Sequence, residues 1–204
     1  MSKKNHERIA IVNGFRTPFL KAGTIFSKIE ADALGVYPLK ETFIRSNIKP
    51  EHIDEVITGC CAQPAHAANV GRVIALRAGI PKQVPAITVH RNCASGMEAL
   101  SAGAQRLLLG EADIVAAVGV ESMSNIPLIY NKKMTDFFNR LSRAKTIGQR
   151  LSVLASFRLD HLKPIIALQL GLTDPVCNML MGNTAENLSR EFKITRTDQD
   201  KFSL

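Results

Sequence analysis

Reactive side chains are few in this 204-residue chain: four cysteines, at positions 60, 61, 93 and 177, and five histidines. Cys93 stands out by its surroundings. It lies in Thr88-Val-His-Arg-Asn-Cys-Ala-Ser-Gly-Met-Glu-Ala-Leu100, where a strand-like run gives way to a helical one. A thiol in the first turn of a helix meets unpaired backbone N–H groups and the positive end of the helix dipole. Both favour the thiolate, which is the nucleophilic form. The small neighbours Ala94, Ser95 and Gly96 leave room for a bulky acyl group. On the residues alone, Cys93 is either such a nucleophile or an inert packing cysteine.

The remaining candidates carry less. His90, three residues before Cys93, sits at a strand end whose pleat does not aim it at the thiol. The vicinal pair Cys60-Cys61 ends another strand with its side chains on opposite faces, which points to packing rather than redox or metal chemistry. Cys177 falls in an irregular stretch, and no Cys/His spacing matches a metal site, so no metal is expected. Neither a Walker loop nor a G-x-G-x-x-G follows the first strand-like segment.

The elements that must position Cys93 alternate between two periodicities. Strands are expected at Arg8–Asn13, Val56–Cys61, Pro85–His90 and Ile114–Val120, the last an almost continuous apolar run of the kind covered on both faces. Helices are expected from Glu30 to about Arg45, from Ala67 to Ala78 with Gly79 as the stop, and from Cys93 to Leu109 closed by Gly110. This order implies parallel crossovers and a three-layer α/β sandwich with a mainly parallel sheet. After Glu121 the pattern changes to an excursion with helical pieces near Lys133–Ala144 and Ile147–Phe157. A helix returns at Met181–Phe192, and Thr197-Asp-Gln-Asp200 reads as an N-cap and first turn just before the last residue, Leu204. The expected division is therefore a core over 1–121, an inserted excursion over 122–180, and a truncated return to the core over 181–204.

Composition agrees with a globular chain: 46% hydrophobic and 22% charged residues exclude the disordered class. No apolar run approaches the roughly 18–20 residues of a membrane span. The polar start, Met1-Ser-Lys-Lys-Asn-His-Glu-Arg8, leads to the expectation of no signal or transit peptide, and the cysteine usage to a reducing cytoplasm. Charge is unevenly spread. The net charge is +8, and the stretch 131–163 holds eight basic residues against two acids, Asp136 and Asp160. The rest is a near-neutral domain carrying one basic segment.

Several collinear motifs then resemble the N-terminal part of the thiolase family over essentially the whole chain. They are Arg16-Thr-Pro-Phe19, Asn69-Val-Gly-Arg72 before a helix ending Ala78-Gly-Ile-Pro81, Asn92-Cys-Ala-Ser-Gly-Met97, Gly119-Val-Glu-Ser-Met-Ser124 and Met181-Gly-Asn-Thr-Ala-Glu-Asn187. The segment Lys132–Lys163, with Ala144-Lys-Thr-Ile-Gly-Gln-Arg-Leu-Ser152, is most similar to the fatty-acid-oxidation type, the β-subunit of the trifunctional complex. The resemblance implies acyl exchange between coenzyme A thioesters and a cysteine. A 3-ketoacyl-CoA gives acetyl-CoA and an acyl-enzyme, which a second coenzyme A releases. Cys93 matches the acylated nucleophile. Met181 matches a methionine lining the acyl pocket, although Leu180 replaces the polar residue often found before it. Asn69 and Arg72 match a stretch that meets a twofold partner, and are carried as interface candidates. Coenzyme A is expected as substrate, with no covalently bound cofactor. A homodimer or tetramer and a hydratase/dehydrogenase partner subunit are implied as well.

One departure is large. The family's machinery also uses a histidine in a Gly-His motif and a second cysteine in a Cys-x-Gly motif, both from a second half of similar fold, and neither motif occurs in these 204 residues. The chain alone is therefore expected to be inactive. The basic segment has three readings: a solvated face, attraction for the phosphates of coenzyme A, or docking on an anionic membrane or the partner subunit through 131–163. Nucleic acid is not expected, since no binding module accompanies the charge. The alternative to the enzyme is a non-catalytic dimerising or docking fragment. A condensing ketoacyl synthase is disfavoured by Asn92-Cys-Ala-Ser-Gly96 and by the motif at Met181.

Overall fold

The computed structural model describes residues 8–204, which fall into two compact units divided after Ile126. In the first unit, strand β1 (Glu55–Gly59) is central and fully buried, with β2 (Ala86–Val89) and β3 (Val115–Gly119) on either side. Both pairings are parallel: Val56 lies opposite Ala86 and Ala116, and Gly59 opposite Val89 and Gly119. Helices α1 (Ala31–Leu34), α2 (Val36–Ser46) and α3 (Val70–Ala78) cover one face, and α4 (Ser95–Leu108) covers the other. The unit is thus a three-layer α/β sandwich on a parallel sheet, as its alternating periodicities imply.

The pleat of β1 sorts its side chains between these faces. Val56, Thr58 and Cys60 lie towards α3, within or beside a core built with Val70, Ile74, Ala75 and Leu39. Glu55, Ile57 and Gly59 face α4, where Glu55 pairs with Arg106 at 3.1 Å. Helix α3 can lie close because Gly71, facing the sheet, carries no side chain. A methyl group on Gly71 would stand 2.5 Å from the Ile87 carbonyl oxygen. Asn69 caps its N-terminus through the Arg72 N–H, and Gly79, at φ +94°, ends it in the left-handed region.

One expected strand does not form. Residues 8–13 run past without a ladder partner among the described residues, and Ile11 and Val12 are 81% and 72% exposed. An Ile/Val-rich segment becomes a strand only where a neighbouring edge takes its N–H and C=O groups, and periodicity cannot supply that edge.

In the second unit, β4 (Leu128–Tyr130) pairs antiparallel with β5 (Pro164–Ile166). Between them lie α5 (Lys132–Arg143) and α6 (Ile147–Ala155), close to the two helical pieces read from the sequence. The short antiparallel pair was not foreseen. Asn131 organises this unit: its carbonyl oxygen caps α5 at the Met134 N–H, and its amide donates to the carbonyls of Asp160 and Lys163 at 2.9 and 2.8 Å. Met134, Phe137 and His161 form a small buried centre, with Phe157 edge-on to Phe137. Helices α7 (Ala167–Leu172), α8 (Met181–Glu191) and α9 (Arg196–Ser203) follow. The cap of α9 is Thr195, whose hydroxyl meets the Asp198 N–H while the Asp198 carboxylate returns to the Thr195 N–H; the helix begins before Thr197 for that reason.

Candidate functional site

Cys93 stands on a tight turn between β2 and α4. Asn92, immediately before it, has φ +47°, a left-handed conformation that reverses the chain within a residue. The Ala94 and Ser95 N–H groups donate to the Arg91 and Asn92 carbonyls, both at 3.0 Å. Ser95 is buried, and its hydroxyl accepts the Arg91 N–H at 2.9 Å and donates to the Asn92 carbonyl at 2.6 Å. The turn is therefore bonded to itself on its inner side, and the Cys93 thiol is left exposed and free at its tip. Helical geometry begins at Ser95, so Cys93 precedes the helix rather than occupying its first turn. The left-handed Asn92 and the turn it starts account for the two-residue offset.

Three glycines let this turn sit on the sheet. A methyl group on Gly59, at the end of β1, would stand 2.0 Å from the Ser95 carbonyl oxygen. One on Gly119, at the end of β3, would come 3.2 Å from the Gly96 Cα. Backbone meets backbone at these contacts, and a side chain on either strand would lift the Cys93 turn away.

Glu121, two residues beyond β3, ties the neighbouring strand end. Its carboxylate accepts the N–H groups of Cys61 and Ala62 at 2.9 and 3.0 Å. The vicinal cysteines divide as the pleat requires: Cys60 is 1% exposed and Cys61 lies at the surface. Burial, reinforced by the Glu121 charge and by Cys61, pushes the Cys60 thiol up to about 12. Cys61 is raised as well, first by desolvation, then by Glu121 and by Cys93. His90 faces its own turn, its Nδ1 accepting the Asn92 N–H at 3.4 Å.

Asn69 and Arg72 come together in the first unit. The Asn69 side chain bridges to the Ala86 carbonyl and the Thr88 hydroxyl at 3.0 and 2.8 Å. The Arg72 guanidinium donates to the carbonyls of Val84 and Lys82 at 2.6 and 2.7 Å. Their polar groups thus fasten α3 to β2 and the loop before it. Met181 is the first residue of α8 in the second unit and is 46% exposed. A cavity of about 350 Å3, lined by Phe15, Phe19, Phe26, Pro38, Glu121 and Met123 among others, opens beside the end of β3. Among the described residues no group of three or more His, Cys, Asp or Glu is placed to hold a metal ion.

Sequence reasoning gave Gly59, Gly119 and Glu121 no positioning role and read Ser95 only as a small neighbour of Cys93. The two glycines and the acid each close a strand-like run, but which turn they face depends on strand order, which the sequence does not display.

A parallel α/β unit presenting a free cysteine on a strand–turn–helix elbow defines a class of nucleophile-bearing folds. Within that class, residues 9–204 match the model of the thiolase N-terminal domain, and the chain belongs to that family. It is 34% identical over all 204 residues to the mitochondrial trifunctional enzyme subunit beta of Mus musculus, covering 42% of that protein. A 3-ketoacyl-CoA thiolase of Pseudoalteromonas translucida is 34% identical over 97% of this chain and 44% of its own length. Among solved structures, the human mitochondrial 3-ketoacyl-CoA thiolase in complex with CoA superposes with a TM-score of 0.75 at 30% identity, over 94% of this chain and 44% of the solved chain. The acetyl-CoA acetyltransferase of Bacillus anthracis does so with a TM-score of 0.77 at 32% identity. The chain therefore spans less than half the length of these relatives.

Proposed function

We propose that this chain supplies the acyl-accepting part of a degradative 3-ketoacyl-CoA thiolase of fatty-acid β-oxidation. The observation that carries the reading is the exposed Cys93 thiol, held by the turn from Asn92 to Ser95 on the glycine ends of β1 and β3. In this reaction the Cys93 thiolate attacks the 3-keto carbon and the bond between C2 and C3 breaks. The electrons pass to C2, which takes a proton to give acetyl-CoA. The acyl group stays on sulfur until the thiol of a second coenzyme A takes it, releasing a proton in place of the one delivered to C2 and returning the Cys93 thiolate. Coenzyme A is a substrate in this scheme and no covalent cofactor takes part. The Gly-His and Cys-x-Gly groups that would polarise the thioester and move the proton are not among these 204 residues.

Acetoacetyl-CoA thiolysis tests both parts of the reading. The purified 204-residue chain is expected to show none, and turnover by it would overturn that part. A polypeptide in which this chain is followed by both missing motifs is expected to cleave the substrate. Cys93→Ala should then lower kcat at least about a thousandfold. Retained activity in that variant would remove Cys93 from the mechanism.

A second reading concerns the second unit: peripheral contact of 131–163 with an anionic membrane. It is supported by Ile147, Leu151 and Leu154, exposed along α6 near the cationic Arg143, Lys145 and Arg150. The two acids of the segment are already paired, Asp136 with Lys132 and Asp160 with Lys133, so the remaining cations are in excess. Sedimentation with anionic vesicles should exceed that with neutral ones and fall as salt is added; equal binding to both, or none, would sink it. The same proposal extends to a homodimer or tetramer and to a hydratase/dehydrogenase partner, the latter supported by the name of the mouse relative, a subunit of a trifunctional enzyme.

A further inference from the structure

Residues 8–20 make no backbone–backbone hydrogen bond among the described residues, and within them lies Asn13-Gly14, the one place in the sequence where a glycine follows an asparagine. The Gly14 N–H donates instead to the Asn13 side-chain carbonyl at 2.9 Å. A C=O bond adds about 1.2 Å, so the Gly14 nitrogen lies within about 4.1 Å of the Asn13 Cγ, the carbon it must reach to close a five-membered ring. Both residues are exposed, and a methyl group built on Gly14 would meet nothing within 4 Å. Water therefore reaches the pair, no neighbour blocks the ring, and no ladder bond has to break before it closes. Asparagines elsewhere are engaged. Asn69 caps α3 and bonds the Ala86 carbonyl, Asn125 bonds the Ile29 carbonyl, and Asn131 caps α5 and holds the carbonyls of Asp160 and Lys163. The residues that follow these three, Val70, Ile126 and Lys132, all carry large side chains.

We propose that Asn13 is a site of spontaneous deamidation, which turns it into aspartate and isoaspartate and gives the chain a time-dependent covalent change. The inference stands apart from the reaction proposed for Cys93. The Gly14 nitrogen gives its proton to hydroxide and attacks the Asn13 Cγ. The new C–N bond closes a succinimide, and the side-chain nitrogen leaves as ammonia with a proton taken from water. Water then adds to one of the two ring carbonyls. Breaking the bond between the ring nitrogen and Cγ leaves an ordinary aspartate. Breaking the bond between that nitrogen and the main-chain carbonyl carbon leaves isoaspartate, with the chain running through the former side chain. Either product carries a carboxylate where a neutral amide stood. Glycine matters because it has no Cβ to crowd the attacking nitrogen and because its backbone takes up the ring geometry readily. Isoaspartate also adds a methylene to the main chain directly before Phe15, the first of the residues from Phe15 to Ala22 that line the cavity of about 350 Å3.

Peptide mapping tests this on the 204-residue chain. The protein is incubated at mildly alkaline pH, sampled over days and digested with trypsin, which releases Asn13 in the peptide Ile9–Arg16. That peptide should appear in two new forms, each with the mass of an oxygen in place of an NH. The isoaspartate form should accept a labelled methyl group from S-adenosylmethionine through an isoaspartate-specific carboxyl methyltransferase. Its rate of formation in the folded chain should lie within about fivefold of that in the synthetic peptide Ile9–Arg16, because no backbone bond restrains the segment. Gly14→Ala should slow conversion at least about tenfold. Asn13→Gln, whose ring would have six members, should lose the methyl acceptor. An Asn13 that stays intact in the folded chain while the synthetic peptide converts would overturn the proposal. So would methyl labelling that survives in Asn13→Gln, or a Gly14→Ala chain that converts as fast as the parent.

Discussion

A hydrogen atom in place of a side chain decides where the Cys93 sulfur sits. Gly59 is the clearest case, because its Cα faces a backbone carbonyl rather than the end of a flexible side chain. Gly59→Ala must shift either α4 or β1, and overpacking of this kind costs about 1–3 kcal/mol or more. Urea unfolding should report that loss, and α4 cannot be displaced without moving Cys93; a variant as stable as the parent would contradict the contact. Gly119→Ala meets a softer limit at 3.2 Å and is expected to cost less. The place of Cys93 between a strand and a helix was legible in the sequence from the change of periodicity there. The residues that hold it were not, since Gly59, Gly119 and Glu121 come from other strands and reach the elbow only through the sheet. Cys60 and Cys61 show the reverse: alternation alone separates them into a buried and an exposed thiol, and both are observed.

Elements of the first unit follow local signals closely. Asn69 and Gly79 bracket α3 as a capping residue and a left-handed stop. The almost continuous apolar run read at Ile114–Val120 belongs to β3, which flanks the central, fully buried β1 and is itself only partly buried. The failures share one cause. Residues 8–13 have strand composition without a partner, and Cys93 has helix-start composition while its turn is still reversing at Asn92. Periodicity reports what a segment can become, whereas pairing and turn conformation depend on what lies beside it. Beyond Glu121 the sequence showed helices but not the antiparallel pair β4–β5, because two three-residue strands are too short to display alternation. Their closure depends on Asn131, a single side chain spanning α5 and three carbonyls some thirty positions on in the chain.

At the scale of the whole molecule, charge and fold divide between the units. The first carries the near-neutral α/β sandwich and the elbow, and the second carries the basic helices with their aromatic centre. Family membership rests on the full run of residues 9–204, which is why collinear motifs, rather than any one of them, disclosed it. Everything proposed for the reaction depends on the elbow making one thiol unlike the other three. The direct measurement is the alkylation rate of each cysteine by isotope-coded iodoacetamide in the native chain near neutral pH. Cys93 should react at least about tenfold faster than Cys61 and Cys177. Cys60, buried and held protonated to about 12, should react last. Labelling of Cys93 at the same slow rate as Cys177 in the folded protein would contradict its role as nucleophile.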